Sequence, residues 1–129
     1  MGIFVANKCL KLMTQNNIYF KGAKALILGF AFKENCNDYR NTKVIDIVNE
    51  LADFGMFTEI YDPLIDKQNA QNQYKINFID FPESKYDLII HAVSHDIFKK
   101  CNLELWINPN TVIFDVKGTL TSQYLTATL

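Results

Sequence analysis

The sequence is short of cysteine, glycine and proline, and neither sign of charge is in excess. Its three cysteines, Cys9, Cys36 and Cys101, lie far apart with no CxxC spacing. An odd, dispersed set argues against a disulfide framework and against a structural zinc site, so a reducing, cytoplasmic setting is expected. A net charge of -1 with scattered lysines leaves no electrostatic footprint for nucleic acid. No apolar run approaches the roughly 20 residues of a membrane span. The first residues also lack the basic, apolar and small-residue order of a secretory signal. Neither nucleic acid nor a membrane is therefore an expected partner. Only five glycines occur in the chain, and none form the GxGxxG pattern that cradles a dinucleotide pyrophosphate. A phosphate-binding loop ending in Gly-Lys-Ser/Thr is missing too, as are repeats and low-complexity tracts.

What is present is an ordinary globular composition, with 49% apolar and 21% charged residues over 129 positions, enough for one domain. Met1 to about Asn16 reads as a helix, since Val5, Cys9, Leu12 and Met13 fall at i, i+4, i+7 and i+8. Ile3 and Phe4 widen its apolar side beyond what one small sheet needs. The helix either caps this sheet or also packs on something outside it. Lys24 to Gly29 reads as a strand, and Lys43 to Phe54 as a helix striped by Val44, Ile47, Val48 and Leu51. Asn41 or Thr42 is placed to cap that helix and Gly55 to end it. Phe57 to Tyr61 is a second strand, closed by Asp62-Pro63. Leu64 to Tyr74 is a weak, exposed helix, and Ile76 to Ile79 a short strand near an edge. Tyr86 to Val93 is nearly continuous in apolar residues, as in a strand buried on both faces. Short helical turns follow at Asp96 to Lys100 and Leu103 to Trp106. Asn108-Pro109-Asn110 turns the chain into a last strand, Thr111 to Val116, and Thr119 to Leu129, without pattern, is expected to fray. Strands alternating with helices predict an α/β fold. Its sheet is Rossmann-like, open and mostly parallel, flanked by helices and preceded by one N-terminal helix.

Between the first strand and the second helix lies a polar loop, Gly29-Phe30-Ala31-Phe32-Lys33-Glu34-Asn35-Cys36-Asn37-Asp38-Tyr39-Arg40-Asn41-Thr42. A plain connection needs about four to six residues, and ligands of open α/β sheets bind beyond the carboxyl ends of the strands. Lys33 and Arg40 suit a phosphate or carboxylate, Lys as a point charge and Arg as a fork. The alternative is that both are solvated charges paired with Glu34 and Asp38. Phe30 and Phe32 stand where a pyrophosphate would need a bare backbone, so the chain is not expected to bind NAD by itself. Asp62 either accepts ribose hydroxyls or starts an Asp-Pro turn. His95 follows a strand end, whereas His91 sits within a strand as a packing residue. Cys36 lies near cations, but sequence places no histidine as its base, so it is read as a bystander. No catalytic constellation is expected on this chain.

Taken whole, Gly29-x-x-Phe32-Lys33 with Asp38-x-Arg40-x-Thr42 resembles the corresponding loop of the UDP-glucose/GDP-mannose dehydrogenase family. The likeness continues through Val44-Ile45-Asp46-Ile47, Tyr61-Asp62-Pro63, Tyr86-Asp87-Leu88-Ile89-Ile90, His95-Asp96-x-Phe98 and Phe114-Asp115-x-Lys117-Gly118. It spans about Gly22 to Leu120, and it looks most like the branch acting on UDP-N-acetylhexosamines in capsular and Vi-type polysaccharide synthesis. The first helix looks like the end of that family's central dimerisation helix. The resemblance implies three parts: the end of the central helix at 1–20, a UDP-sugar-binding Rossmann-like domain at 21–120 and a tail at 121–129.

Such membership implies NAD-dependent, two-step oxidation of a sugar-nucleotide C6 alcohol. The family's NAD-binding and catalytic-cysteine segments have no counterpart here. The expectation is thus a fragment, inactive alone, that pairs with missing N-terminal and central domains, binds UDP-sugar and forms a homodimer. By this likeness Lys33 reaches the sugar-nucleotide, and Lys117, where many relatives carry arginine, lies near it. Arg40 matches an arginine that contacts NAD across the domain interface. A rival expectation is a dimerisation module that binds no nucleotide alone.

Overall fold

The computed structural model describes residues 2–40, 42–118 and 125–128, apart from the side chain of Lys100. Helix α1 (Gly2–Gln15) leads into strand β1 (Lys24–Leu28), then helix α2 (Val44–Asp53) and strand β2 (Phe57–Tyr61). Helix α3 (Lys67–Tyr74) and strand β3 (Tyr86–His91) follow, then two 3₁₀ turns (Asp96–Lys100 and Leu103–Trp106) and strands β4 (Ile107–Asp115) and β5 (Ala127–Thr128). The five strands form one sheet in the order β2-β1-β3-β4-β5, and every pairing is parallel. The expected fold is therefore present, with a sheet wholly rather than mostly parallel.

Alternation along the strands splits the core between two faces. Ala25 and Ile27 of β1, Leu88 and Ile90 of β3, and Val112 and Phe114 of β4 join the core under α1 and α2. Leu26, Leu28, Ile89 and Ile113 face the other way, where Phe98, Leu103 and Trp106 of the 3₁₀ segments cover them. Helix α1 buries Val5, Ala6, Cys9, Leu10 and Met13, so it does cap this sheet. Each large aliphatic side chain so buried stabilises by about 1.5–3 kcal/mol. Its Ile3 and Phe4 nevertheless stay 57% and 59% exposed. In α2 the buried stripe is Val44, Ile47, Val48 and Leu51 as expected. Thr42 Oγ1 accepts the Val44 N–H, and Gly55 follows the helix at φ +84°; Asn41 lies outside the described residues.

Three elements differ from the sequence reading. Ile76 to Ile79 makes only a bridge, Phe78 beside Ile60, on the outer edge of β2. Strand β4 starts earlier than Thr111: Ile107 already pairs with Tyr86, and the register then jumps to Leu88 opposite Val112. The Asn108-Pro109-Asn110 turn is thus a bulge inside the strand, where a proline without an N–H is tolerated. The segment expected to fray supplies β5, with Ala127 and Thr128 beside Phe114 and Asp115. Among the described residues no helix is long and apolar enough to cross a membrane.

Candidate functional site

In the strand order β2-β1-β3-β4-β5 the chain leaves β1 toward one side of the sheet and returns to β3 on the other. That reversal opens a crevice at the carboxyl ends of β1 and β3, the position where this topology binds ligands. A pocket of about 70 Å³ lies there. Its walls are Ala31 to Lys33 after β1, Ala92 and Val93 after β3, Val116 and Lys117 after β4, and the starts of α2 and α1. Lys33 and Lys117, far apart in sequence, thus line one cavity, and Lys43 joins them from the position that caps α2. All three are exposed. Sequence reasoning placed Lys43 only as the start of a helix. The available signal was its position directly before α2, where helix dipole and lysine both favour an anion.

Each lysine-bearing loop rests on a buried aspartate–histidine pair. Asp62, at the end of β2, accepts the Phe30 and Ala31 N–H groups on Oδ2 at 2.8 and 3.0 Å. The same oxygen is 2.9 Å from His95 Nε2, while Oδ1 accepts the Leu64 N–H. His95 Nδ1 in turn accepts the Asn35 N–H at 2.9 Å. An accepting Nδ1 is unprotonated, so the ring proton sits on Nε2 and is donated to Asp62. Asn35, at φ 57°, completes a ring by accepting the Asp96 N–H on its side-chain oxygen. Across the sheet, His91 Nδ1 is 2.9 Å from Asp115 Oδ1, which also accepts the Lys117 N–H at 3.2 Å. The side chains of both pairs are fully buried. His91 Nε2 has no partner among the described residues.

Burial works against the Asp62 carboxylate. The hydrogen bond from His95 and those from the Phe30 and Leu64 N–H groups outweigh it, holding the pKa below the usual carboxylate range. These bonds also decide the alternatives for Asp62: its oxygens are taken by backbone and imidazole, so it organises the loop rather than meeting a ribose. His95 is likewise engaged on both nitrogens and cannot act as a base for Cys36, whose sulfur accepts the Asp38 N–H. Phe30 turns inward, fully buried against Tyr74 at 5.1 Å and Phe78 at 5.0 Å. Phe32 stays 56% exposed at the pocket.

Arg40 lies outside this pocket. Its Nε and Nη2 donate to Asp38 at 3.0 and 2.9 Å, as the paired-charge alternative anticipated, and its side chain is 84% exposed. The side-chain hydrogen bond from Arg40 lowers the Asp38 pKa to about 2. The residues after β1 do not fit a resident NAD. One glycine, a buried phenylalanine and a fully engaged Asp62 occupy the positions that would cradle pyrophosphate and ribose.

Residues 26–122 match the family model for the UDP-binding domain of the UDP-glucose/GDP-mannose dehydrogenase family. The chain therefore belongs to that family. It is 41% identical over 105 residues to a UDP-N-acetyl-D-glucosamine 6-dehydrogenase of Pseudomonas aeruginosa, covering 81% of this chain and 25% of the relative. It is 34% identical over 129 residues to Protein CapL of Staphylococcus aureus, covering 97% of this chain and 30% of the relative. The likeness to the UDP-N-acetylhexosamine branch holds in the first of these relatives, and the chain spans about a quarter to a third of the length of the two. Among solved structures, an NDP-N-acetyl-D-galactosaminuronic acid dehydrogenase of Methanosarcina mazei superposes with a TM-score of 0.77 at 20% identity, over 89% of this chain and 25% of that one. A UDP-D-ManNAc dehydrogenase of Pyrococcus horikoshii gives 0.74 at 22% identity, over 98% and 30%. At such identities these superpositions speak for the fold alone.

Proposed function

We propose that this chain is the part of an NAD-dependent UDP-N-acetylhexosamine 6-dehydrogenase that holds the nucleotide-sugar. The observation that carries this reading is the convergence of Lys33 and Lys117, with Lys43 beside them, on the crevice at the switch point. Three lysines among the residues lining a small cavity favour a phosphate, and the 70 Å³ available is below the about 300–1,000 Å³ of a complete ligand pocket. The cavity thus suits one phosphoryl group, and the rest of the UDP-sugar lies across the surface toward the other domains of a longer enzyme. Arg40, held by Asp38 and outside the pocket lining, is assigned to NAD bound by such a domain. The chain supplies no nucleophile or base to the oxidation and reduces no NAD alone. Homodimeric assembly and a cytoplasmic setting belong to the same reading.

Calorimetric titration of the chain with UDP, a UDP-N-acetylhexosamine and NAD tests it. Saturable UDP-sugar binding with no NAD response is expected. Binding that ignores Lys33→Ala would contradict it. The exposed Ile3 and Phe4 favour a second reading, a dimerisation module without nucleotide affinity. A dimer by light scattering together with flat titrations would establish that one instead.

A further inference from the structure

The lysines carry the charge of the proposed site, yet among the described residues no hydrogen bond or ion pair holds their side chains. Lys33 sits on a loop whose exposed residues could take many conformations. That loop is tied down at both ends by one buried aspartate–histidine pair. Its start is bonded through Phe30 and Ala31 N–H to Asp62, and its turn through Asn35 N–H to His95. His95 and Asp62 are joined to each other at 2.9 Å, and the His95 ring packs on Phe98 at 5.3 Å. We propose that His95 is a positioning residue: as the Nε2–H tautomer it latches the Gly29 to Asn35 loop onto the ends of β2 and β3 and so sets Lys33 over the pocket. It touches no nucleotide itself. The contribution to affinity rests on the nucleotide-binding reading above; the latch itself does not.

The geometry explains why a histidine serves here. The position needs a side chain that accepts on one edge and donates on the other, within a site where an unpaired polar group is costly. His95→Leu keeps an apolar body against Phe98 but has neither function. His95→Gln keeps one acceptor and one donor on its amide.

The test combines amide hydrogen exchange with UDP titration on the whole chain. In His95→Leu, exchange at Asn35 is expected to rise by about tenfold or more, the scale of one lost hydrogen bond with its partner left unpaired. Amides of β1 and β3 should keep wild-type rates. UDP affinity should fall to that of Lys33→Ala, with the double variant no weaker than Lys33→Ala, because both act through one ammonium group. His95→Gln should restore a large part of both. Unchanged Asn35 exchange in His95→Leu would overturn the latch, as would affinity losses that multiply in the double variant. Should His95→Leu fail to fold, ¹⁵N spectra of the wild-type imidazole still decide: protonated Nε2 with accepting Nδ1 supports the latch, and the opposite tautomer refutes it. If wild-type chain binds no UDP, the nucleotide reading falls, and the exchange and tautomer results judge the latch separately.

Discussion

Gly29 shows how tightly the loop leaves the sheet. Its φ is +99°, and a Cβ there would lie 2.5 Å from Val93 Cβ and 3.0 Å from Val93 N. Both backbone strain and collision therefore oppose a side chain, and Gly29→Ala is expected to cost about 1–3 kcal/mol in urea unfolding. Lys33 makes the opposite case, a residue whose loss leaves the fold intact. Removing one charge-assisted contact worth about 1.5–3 kcal/mol should weaken UDP binding some ten- to hundredfold, with an unchanged urea midpoint. Asp62 adds a pH dependence whose sign follows from its lowered pKa. Its stabilisation is complete above the unfolded-state value and is lost as pH falls through the depressed folded value. Exchange-protected Phe30 and Ala31 amides should therefore stay protected through the usual carboxylate range and loosen only below it. Loosening at higher pH would contradict the assignment.

At the scale of elements, β1, α2 and β3 were legible because each carries one strong period and one clear boundary. The pattern of Val44, Ile47, Val48 and Leu51 is helical whatever packs on it, and Tyr86 to Val93 is too apolar to be exposed. Strand β5 was not legible, since two residues have no period and Ala127–Thr128 is set only by its neighbours Phe114 and Asp115. The bulge in β4 was read as a turn because proline marks both. The histidine pairs were invisible for a different reason. Asp62 and His95 lie far apart along the chain and meet only because β1 and Gly29 bring the ends of β2 and β3 into reach. Lys33 and Lys117 could be named from their resemblance to family positions, but their shared cavity, and Lys43 within it, required the sheet order. Helix α1 permits a direct test of docking. Burial pushes the Cys9 thiol up to about 12, so thiolate is scarce and the sulfur is covered. Iodoacetamide at neutral pH should leave Cys9 unmodified until denaturant undocks α1; early labelling would mean that the helix is not held by α2.

For the whole molecule, the decisive question is whether a sheet with its lysines converging on one crevice binds a nucleotide by itself. Two buried aspartate–histidine pairs hold the lysine loops, and α1 closes the pocket from the side through Gly2 and Val5. On the proposed reading the backbone of both lysine loops is therefore held before a ligand arrives, which reduces the ordering cost of binding. The direct measurement is calorimetric titration of the chain with UDP, run in parallel on Lys33→Ala and Arg40→Ala. The account predicts saturable binding that Lys33→Ala weakens at least about tenfold, in line with one lost charge-assisted contact, and that Arg40→Ala leaves unchanged. Absence of UDP binding, or binding that depends on Arg40 and not on Lys33, would contradict it.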